Sequence, residues 1–420
     1  MKFFLIGIKG SGMAALASLL DDEGYYVSGS DINKQLLTDE KLKCRGIHVY
    51  HLDDKEYLKY DVIIIGHDFY SNELIDELKN NNKIFYEYHE FLDFYLNSTK
   101  LISICGSHGK TTVVNLLSLV EQDSSYLRGD GEGKKIEDDK FFFLESCEYK
   151  NHFLVYNPKE IIITNIDYDH VDFFKTKKEY INAFRQFVFK AKKVYINYSD
   201  RKKIIHKNII TFGSSKKADY YYRIFDKKNN KIYISIFNKK KLILDLEVNE
   251  YNNNFLNHIT SVIAFLHQHN LSLSRVEKRL SKYKPASQRF EEFFINDNTI
   301  ILDYAHHPKQ IENNYQIISK KYKKHVKIAI FRGDRFSRVF YFKKQIKKAL
   351  SKFDYAYVLP LPFMKENITK SCDFLCSKKI KFINNIEEIG QIFESNKKYS
   401  ISLMSSKPFN NEIEYLKNIL

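Results

Sequence analysis

Residues 104–114 read ICGSHGKTTVV. An apolar run of strand length, Lys100–Gly106, leads into this stretch, and a helical pattern, TTVVNLLSLVEQ, leads out of it. Between them lie Gly106, Ser107, His108 and Gly109, followed by Lys110, Thr111 and Thr112. A glycine loop between strand and helix lets backbone N–H groups at the helix N-terminus meet phosphate. The common phosphate loop places four residues between its first glycine and its Gly-Lys-Thr. Here Ser107 and His108 alone stand between Gly106 and Gly109-Lys110-Thr111. The strand and helix on either side are the required context, so the stretch predicts a compact nucleotide site. Lys110 would bridge phosphate oxygens, and the hydroxyl of Thr111 or Thr112 would hold Mg2+.

The same pattern stands at the start of the chain, MKFFLIGIKGSGMAALASLL. Residues 3–8 have strand length, Gly7, Gly10 and Gly12 form a turn, and Met13, Leu16, Leu19 and Leu20 follow at helical spacing. The glycines interrupt the apolar run where the core of a secretory signal is continuous, so this start reads as strand, turn and helix. Asp31 closes the next strand, YYVSGSD, where an acidic residue reads a ribose. Further buried strands follow in DVIIIG (Asp61–Gly66), KFFFLES (Lys140–Ser146), EIIITNI (Glu160–Ile166), TIILDYAHHP (Thr299–Pro308) and HVKIAIFRGD (His325–Asp334). Ser214–Asn254 alternates as hairpins, and FLNHITSVIAFLHQHN is a helix. The alternation predicts an α/β fold of mainly parallel open sheets in three blocks, with breaks near Asn97–Lys100 and Lys282–Pro285.

The chemistry sits at strand ends. Glu145, with Glu148 in the next turn, ends one strand; Asp167, Asp169, His170 and Asp172 follow another. Carboxylates and an imidazole beside a phosphate loop suit Mg2+ held by ATP. Asp303, His306 and His307 end a third strand, and Arg335 and Arg338, three apart, suit a carboxylate clamp. The net charge of +15 over 420 residues comes from lysines in small scattered clusters. No basic tail or nucleic-acid motif accompanies them, so small anionic ligands are expected and nucleic acid is not. The five cysteines are few and odd in number, which predicts a reducing, cytoplasmic compartment. Cys372 and Cys376 have helical spacing but no second pair to complete a zinc set. No segment has the length of a membrane span, so no membrane insertion is expected.

Taken in order, GIKGSGM, VSGSD, GSHGKTT, ESCEY followed by HFL, ITNIDYDHVDFF, SQRFE, DYAHHP and FSR resemble the Mur ligase family. The resemblance runs from the first strand to about Pro362 and is strongest to the alanine-adding branch. It implies three domains. Residues 1–98 form a Rossmann-like UDP-sugar-binding domain, 99–283 a central ATP-binding domain, and 284–420 a C-terminal Rossmann-like domain. It implies a cytoplasmic, ATP- and Mg2+-dependent enzyme of peptidoglycan precursor synthesis. ATP would phosphorylate the carboxylate of UDP-N-acetylmuramate, and the amino group of L-alanine would attack the acyl phosphate. By motif position, Thr111, Glu145 and His170 stand on the metal side. Gly106–Thr112, Asn254, Arg289 and Asp303 stand on ATP, and Gly7, Gly10, Ser11, Gly12, Met13 and Asp31 on the UDP-sugar. His306, Arg335 and Arg338 stand on the amino acid. Lys9 replaces a family glycine, Asn253 a histidine, and Phe184 the lysine that other branches carbamylate. Two other expectations compete with this one: a ligase that attaches a recycled peptide, and a homologue that binds nucleotide without turnover.

Overall fold

The computed structural model describes residues 1–228, 231–249, 254–285, 289–361, 374–394 and 396–420, with the main chain alone at Arg289. Asn253, Ser287, Gln288, Pro362 and Cys372 lie outside the described residues.

Three sheets organise the chain. The first contains β1 (Lys2–Ile6), β2 (Tyr26–Asp31), β3 (His48–His51), β4 (Val62–Ile65) and β5 (Ile84–Glu87), in the order β3-β2-β1-β4-β5. Every pairing in it is parallel. Chain direction across the sheet reverses between β1 and β4, which opens a crevice at their carboxyl ends. β4, VIII, is buried throughout, as a strand covered on both faces requires.

The second sheet has ten strands in the order β15-β14-β13-β12-β11-β10-β6-β9-β7-β8. They are β6 (Leu101–Cys105), β7 (Ser125–Leu127), β8 (Gly133–Lys134), β9 (Phe142–Glu145), β10 (Glu160–Ile163), β11 (Lys193–Asn197), β12 (Ile209–Gly213), β13 (Tyr220–Lys228), β14 (Lys231–Asn238) and β15 (Lys241–Asn249). From β7 to β13 the pairings are parallel. β13, β14 and β15 form the expected antiparallel hairpins. Helices Lys110–Val120 and Phe255–Gln268 pack here, with Val113, Leu117, Phe143, Ile162, Ile259 and Phe265 in one buried cluster. Burial of each such side chain contributes roughly 2 kcal/mol. The short strands β7 and β8 escape a periodicity reading, since three or two residues show no alternation.

The third sheet runs β16 (Arg289–Ile295), β17 (Asn298–Asp303), β21 (Tyr399–Met404), β18 (Val326–Phe331), β19 (Tyr355–Val358), β20 (Ile380–Phe382). All of its pairings are parallel except that of β16 with β17. The α/β class and mainly parallel sheets are those the sequence predicts. By contacts the chain forms two compact units. One is Met1–Tyr168 with Thr176–Lys284, which holds the first two sheets; the other is Asp169–Lys175 with Pro285–Leu420. Among the described residues no helix is long and apolar enough to cross a membrane.

Candidate active site

In the first unit, β6 delivers Gly106–Gly109 to the head of helix Lys110–Val120. Gly106 has φ 125° and Gly109 φ 83°, backbone that L side chains rarely adopt. There is no room for a side chain either: a Cβ on Gly106 would meet Thr164 and Asn165, and one on Gly109 the His258 ring. The segment after β10 clamps the loop. The His108 carbonyl accepts from Thr164 Oγ1 at 2.6 Å and Asn165 Nδ2 at 2.7 Å, while the His108 N–H donates to Asn165 Oδ1 at 3.1 Å.

Lys110 is the first residue of the helix, and its Nζ donates to the Gly106 carbonyl at 2.6 Å and to Glu148 Oε2 at 3.1 Å. Glu148 is fully buried, an unusual place for a carboxylate without a cation beside it. Burial opposes the charge on Lys110, but Glu148, Cys147 and Glu145 together outweigh burial and raise its pKa above the ordinary lysine value. Thr111 is buried in the first turn of the same helix. Glu145, at the end of β9, accepts the Gly129 N–H at 2.7 Å. Thus Glu148 is the acid in contact with the lysine, while Glu145 braces the neighbouring loop. Thr164 and Asn165, from the ITNIDYDHVDFF stretch, also shape this region, as do Tyr180 and His258, which nothing local in the sequence marks. Asn254 stands at the N-terminus of helix Phe255–Gln268, and its carbonyl accepts from the His258 N–H at 3.1 Å. Phe184, at the carbamylated-lysine position, is fully buried against Phe153.

The turn after β1 starts helix Ser11–Asp22, and Met13 is buried in that helix. Asp31 is buried and accepts from the Lys9 N–H at 2.7 Å and the Ile32 N–H at 2.7 Å. Burial dominates there and raises its pKa. Lys9 Nζ lies 3.0 Å from Asp39 Oδ1 and 3.0 Å from the Lys34 carbonyl.

In the second unit, Arg338 is only 4% exposed. Its Nε donates to Asp169 Oδ1 at 2.8 Å and its Nη1 to Asp334. His170 has φ 52°, and its N–H also donates to Asp169 Oδ1, at 2.7 Å. Arg335 is more exposed and pairs with Asp172 at 2.9 Å. The two arginines therefore differ: a further carboxylate at Arg338 would have to displace a buried one, whereas Arg335 is exposed. His306 is beside them. Burial, then Arg338, lower its pKa to about 4, so it is neutral at pH 7. His307 caps helix Pro308–Lys321, and its ring packs on Phe342 at 4.8 Å. Asp303 ends β17 and accepts from Asn314 Nδ2 at 2.9 Å. Arg289 begins β16, and its side chain lies outside the described residues.

A compact glycine loop with its lysine on a buried acid, in a mainly parallel α/β fold, is the arrangement that a nucleotide-dependent enzyme would need. Residues 2–98 match the Mur ligase family catalytic domain, and residues 104–264 match the Mur ligase middle domain. The chain belongs to the Mur ligase family, a family of ATP-dependent ligases. Its fold is similar to that of a UDP-N-acetylmuramate–alanine ligase, MurC, from Thermotoga maritima, with a TM-score of 0.81 at 20% identity, covering 100% of this chain and 99% of that one. It is similar to a murein peptide ligase, Mpl, from Psychrobacter arcticus, with a TM-score of 0.72 at 18% identity and coverage of 100% and 99%. A third likeness is to MurF ligase from Thermotoga maritima in complex with ADP, with a TM-score of 0.64 at 14% identity and coverage of 93% and 94%.

Proposed function

We propose that this chain forms an amide bond between the carboxylate of UDP-N-acetylmuramate and the amino group of L-alanine, with ATP as the energy source. The observation that carries the reading is Lys110, held charged at a helix head by buried Glu148 and the Gly106 carbonyl. Transfer of the terminal phosphoryl group of ATP to the sugar carboxylate gives an acyl phosphate and ADP. The amine then attacks the acyl carbon, loses a proton, and phosphate leaves as the tetrahedral centre collapses.

Positioning and charge stabilisation are what such a transfer asks of a protein. Backbone N–H groups at the start of helix Lys110–Val120 cradle phosphate oxygens, and Lys110 exchanges the Gly106 carbonyl and Glu148 for them. Buried Thr111 and Glu148 offer the hard oxygen donors that suit Mg2+, so the donor set fits. Glu145 and His170 are the further residues that the family motif puts on the metal side. Bound there, Mg2+ would neutralise charge on the transferred phosphoryl group. Asn254, Arg289 and Asp303 serve the rest of ATP, and the turn Gly7–Met13 with Asp31 serves the UDP-sugar. Exposed Arg335 is the better candidate for the amino acid's carboxylate. Arg338 and neutral His306 stand behind it as supports. ATP and a nucleotide sugar as substrates point to the cytoplasm.

The likeness to Mpl keeps a second reading in view, with a recycled peptide as the acceptor. Phosphate release by purified protein with ATP, Mg2+ and UDP-N-acetylmuramate separates the two. Release that depends on L-alanine supports the first reading; release with the L-alanyl-γ-D-glutamyl-meso-diaminopimelate tripeptide alone supports the second. Nucleotide binding without release for any acceptor overturns both in favour of a non-catalytic homologue.

A further inference from the structure

Helix Lys177–Val188 carries a tyrosine that no phosphate-loop pattern requires. Tyr180 is fully buried, its ring edge-on to Tyr168 at 5.9 Å and Phe184 at 5.2 Å. Its hydroxyl lies 3.0 Å from Glu148 Oε1 and 2.7 Å from Ser107 Oγ. Ser107 Oγ in turn accepts the Asp167 N–H at 2.8 Å and lies 2.5 Å from the Asp167 carbonyl, which shares the single Ser107 proton with the Tyr180 oxygen. A carboxylate cannot donate, so the Tyr180 proton points at Glu148 and the phenolic oxygen faces Ser107. One hydroxyl thus joins the phosphate loop to the acid on Lys110.

We propose that Tyr180 is a positioning residue for the nucleotide–metal site, holding the Glu148 carboxylate in place when Lys110 turns from it to phosphate. Glu148 Oε2 meets Lys110 and Oε1 meets Tyr180. Once phosphate draws Lys110 away, the Tyr180 bond still holds Oε1 of the buried acid in its place for Mg2+. A hydrogen bond to a charged group in a low-dielectric site is among the stronger ones. The inference rests on the nucleotide reading of Gly106–Thr112 and adds a residue that lies far from that motif in sequence.

Calorimetric titration with ADP and with a non-hydrolysable ATP analogue, in Mg2+ and separately in EDTA, tests it. Tyr180→Phe keeps the ring and its packing. It is expected to weaken Mg2+–nucleotide binding about tenfold, with less than a twofold change in EDTA. Adding it to Glu148→Gln should cost no further affinity, because both act through one contact. Tyr180→Met places an adaptable apolar side chain without a hydroxyl there and is the second variant should Tyr180→Phe fold poorly; the same Mg2+-dependent loss is expected. Unchanged Mg2+–nucleotide affinity, an equal loss with and without Mg2+, or additive losses in the double variant would each overturn the role of Tyr180 alone. A wild-type protein that binds no nucleotide would overturn the underlying reading and this inference with it.

Discussion

The turns after β1 and β6 share a plan, strand to glycines to helix, and differ in where a lysine's charge goes. Lys9 sits inside the first turn and meets Asp39 and the Lys34 carbonyl, so its charge fastens a neighbouring segment. Lys110 opens the helix of the second turn, with buried Glu148 and the Gly106 carbonyl behind it. A glycine turn specifies a backbone shape that accepts anions. The ends of adjacent strands decide whether a charge stands ready for a transferring phosphoryl group. On the proposed function, the first turn would hold a ligand and the second would serve the reaction.

The comparison breaks most sharply at Lys110. Lys110→Ala should lower ATP-dependent product formation about a thousandfold or more, with the fold retained by circular dichroism. Appreciable residual turnover would remove Lys110 from the phosphate role. The buried cation of the second unit sharpens the contrast between structural and reactive charge. Arg338→Ala strands two carboxylates and should destabilise by about 3–4 kcal/mol in urea unfolding at pH 7. Burial raises the pKa of Asp334, but His306 and Arg338 outweigh it, so the net shift is downward. The stability this group contributes is present above its unfolded pKa and is lost as pH falls through the folded value. The Arg338→Ala penalty should therefore shrink below about pH 4; an equal penalty at pH 3.5 and pH 7 would contradict the charge account.

Gly109→Ala asks whether the second turn depends on its shape. Positive φ and the His258 ring together should make it cost about 2 kcal/mol, seen as a lower Tm and weakened nucleotide binding. His306 gives a pH-dependent effect. Its folded pKa of about 4 lies below the unfolded value, so the unfolded chain binds the extra proton between the two. Stability should fall as pH drops from about 6.5 toward 4, and His306→Gln should flatten that slope. The smallest effect belongs to the first turn. Lys9→Ala removes a partly exposed ion pair and should change stability by less than about 1 kcal/mol. A large effect there would mean that Lys9 supports more than its local segment.

About half of the strands and the two glycine turns were legible because long apolar runs carry their own signal. LISIC and VIII are buried throughout, as their composition demands. β7 and β8 were not legible, being too short to show a period. In the site, Lys110 and Thr111 came from local spacing. The partner of Lys110 did not: Glu145 and Glu148 lie three residues apart, and only the turn after β9 settles which of them meets the lysine. Arg335 and Arg338 present the same ambiguity, since spacing says nothing of which one a pair of aspartates encloses.

By itself, then, the sequence determined the α/β class, the glycine turn before Lys110 and the family, because strand periodicity and glycine spacing act over a few residues. The tertiary structure alone decided which acid holds the lysine, which arginine is buried, and that Tyr180 reaches Ser107 and Glu148. Those are contacts between segments distant in the chain, fixed by packing and by the requirement that a buried charge find a partner.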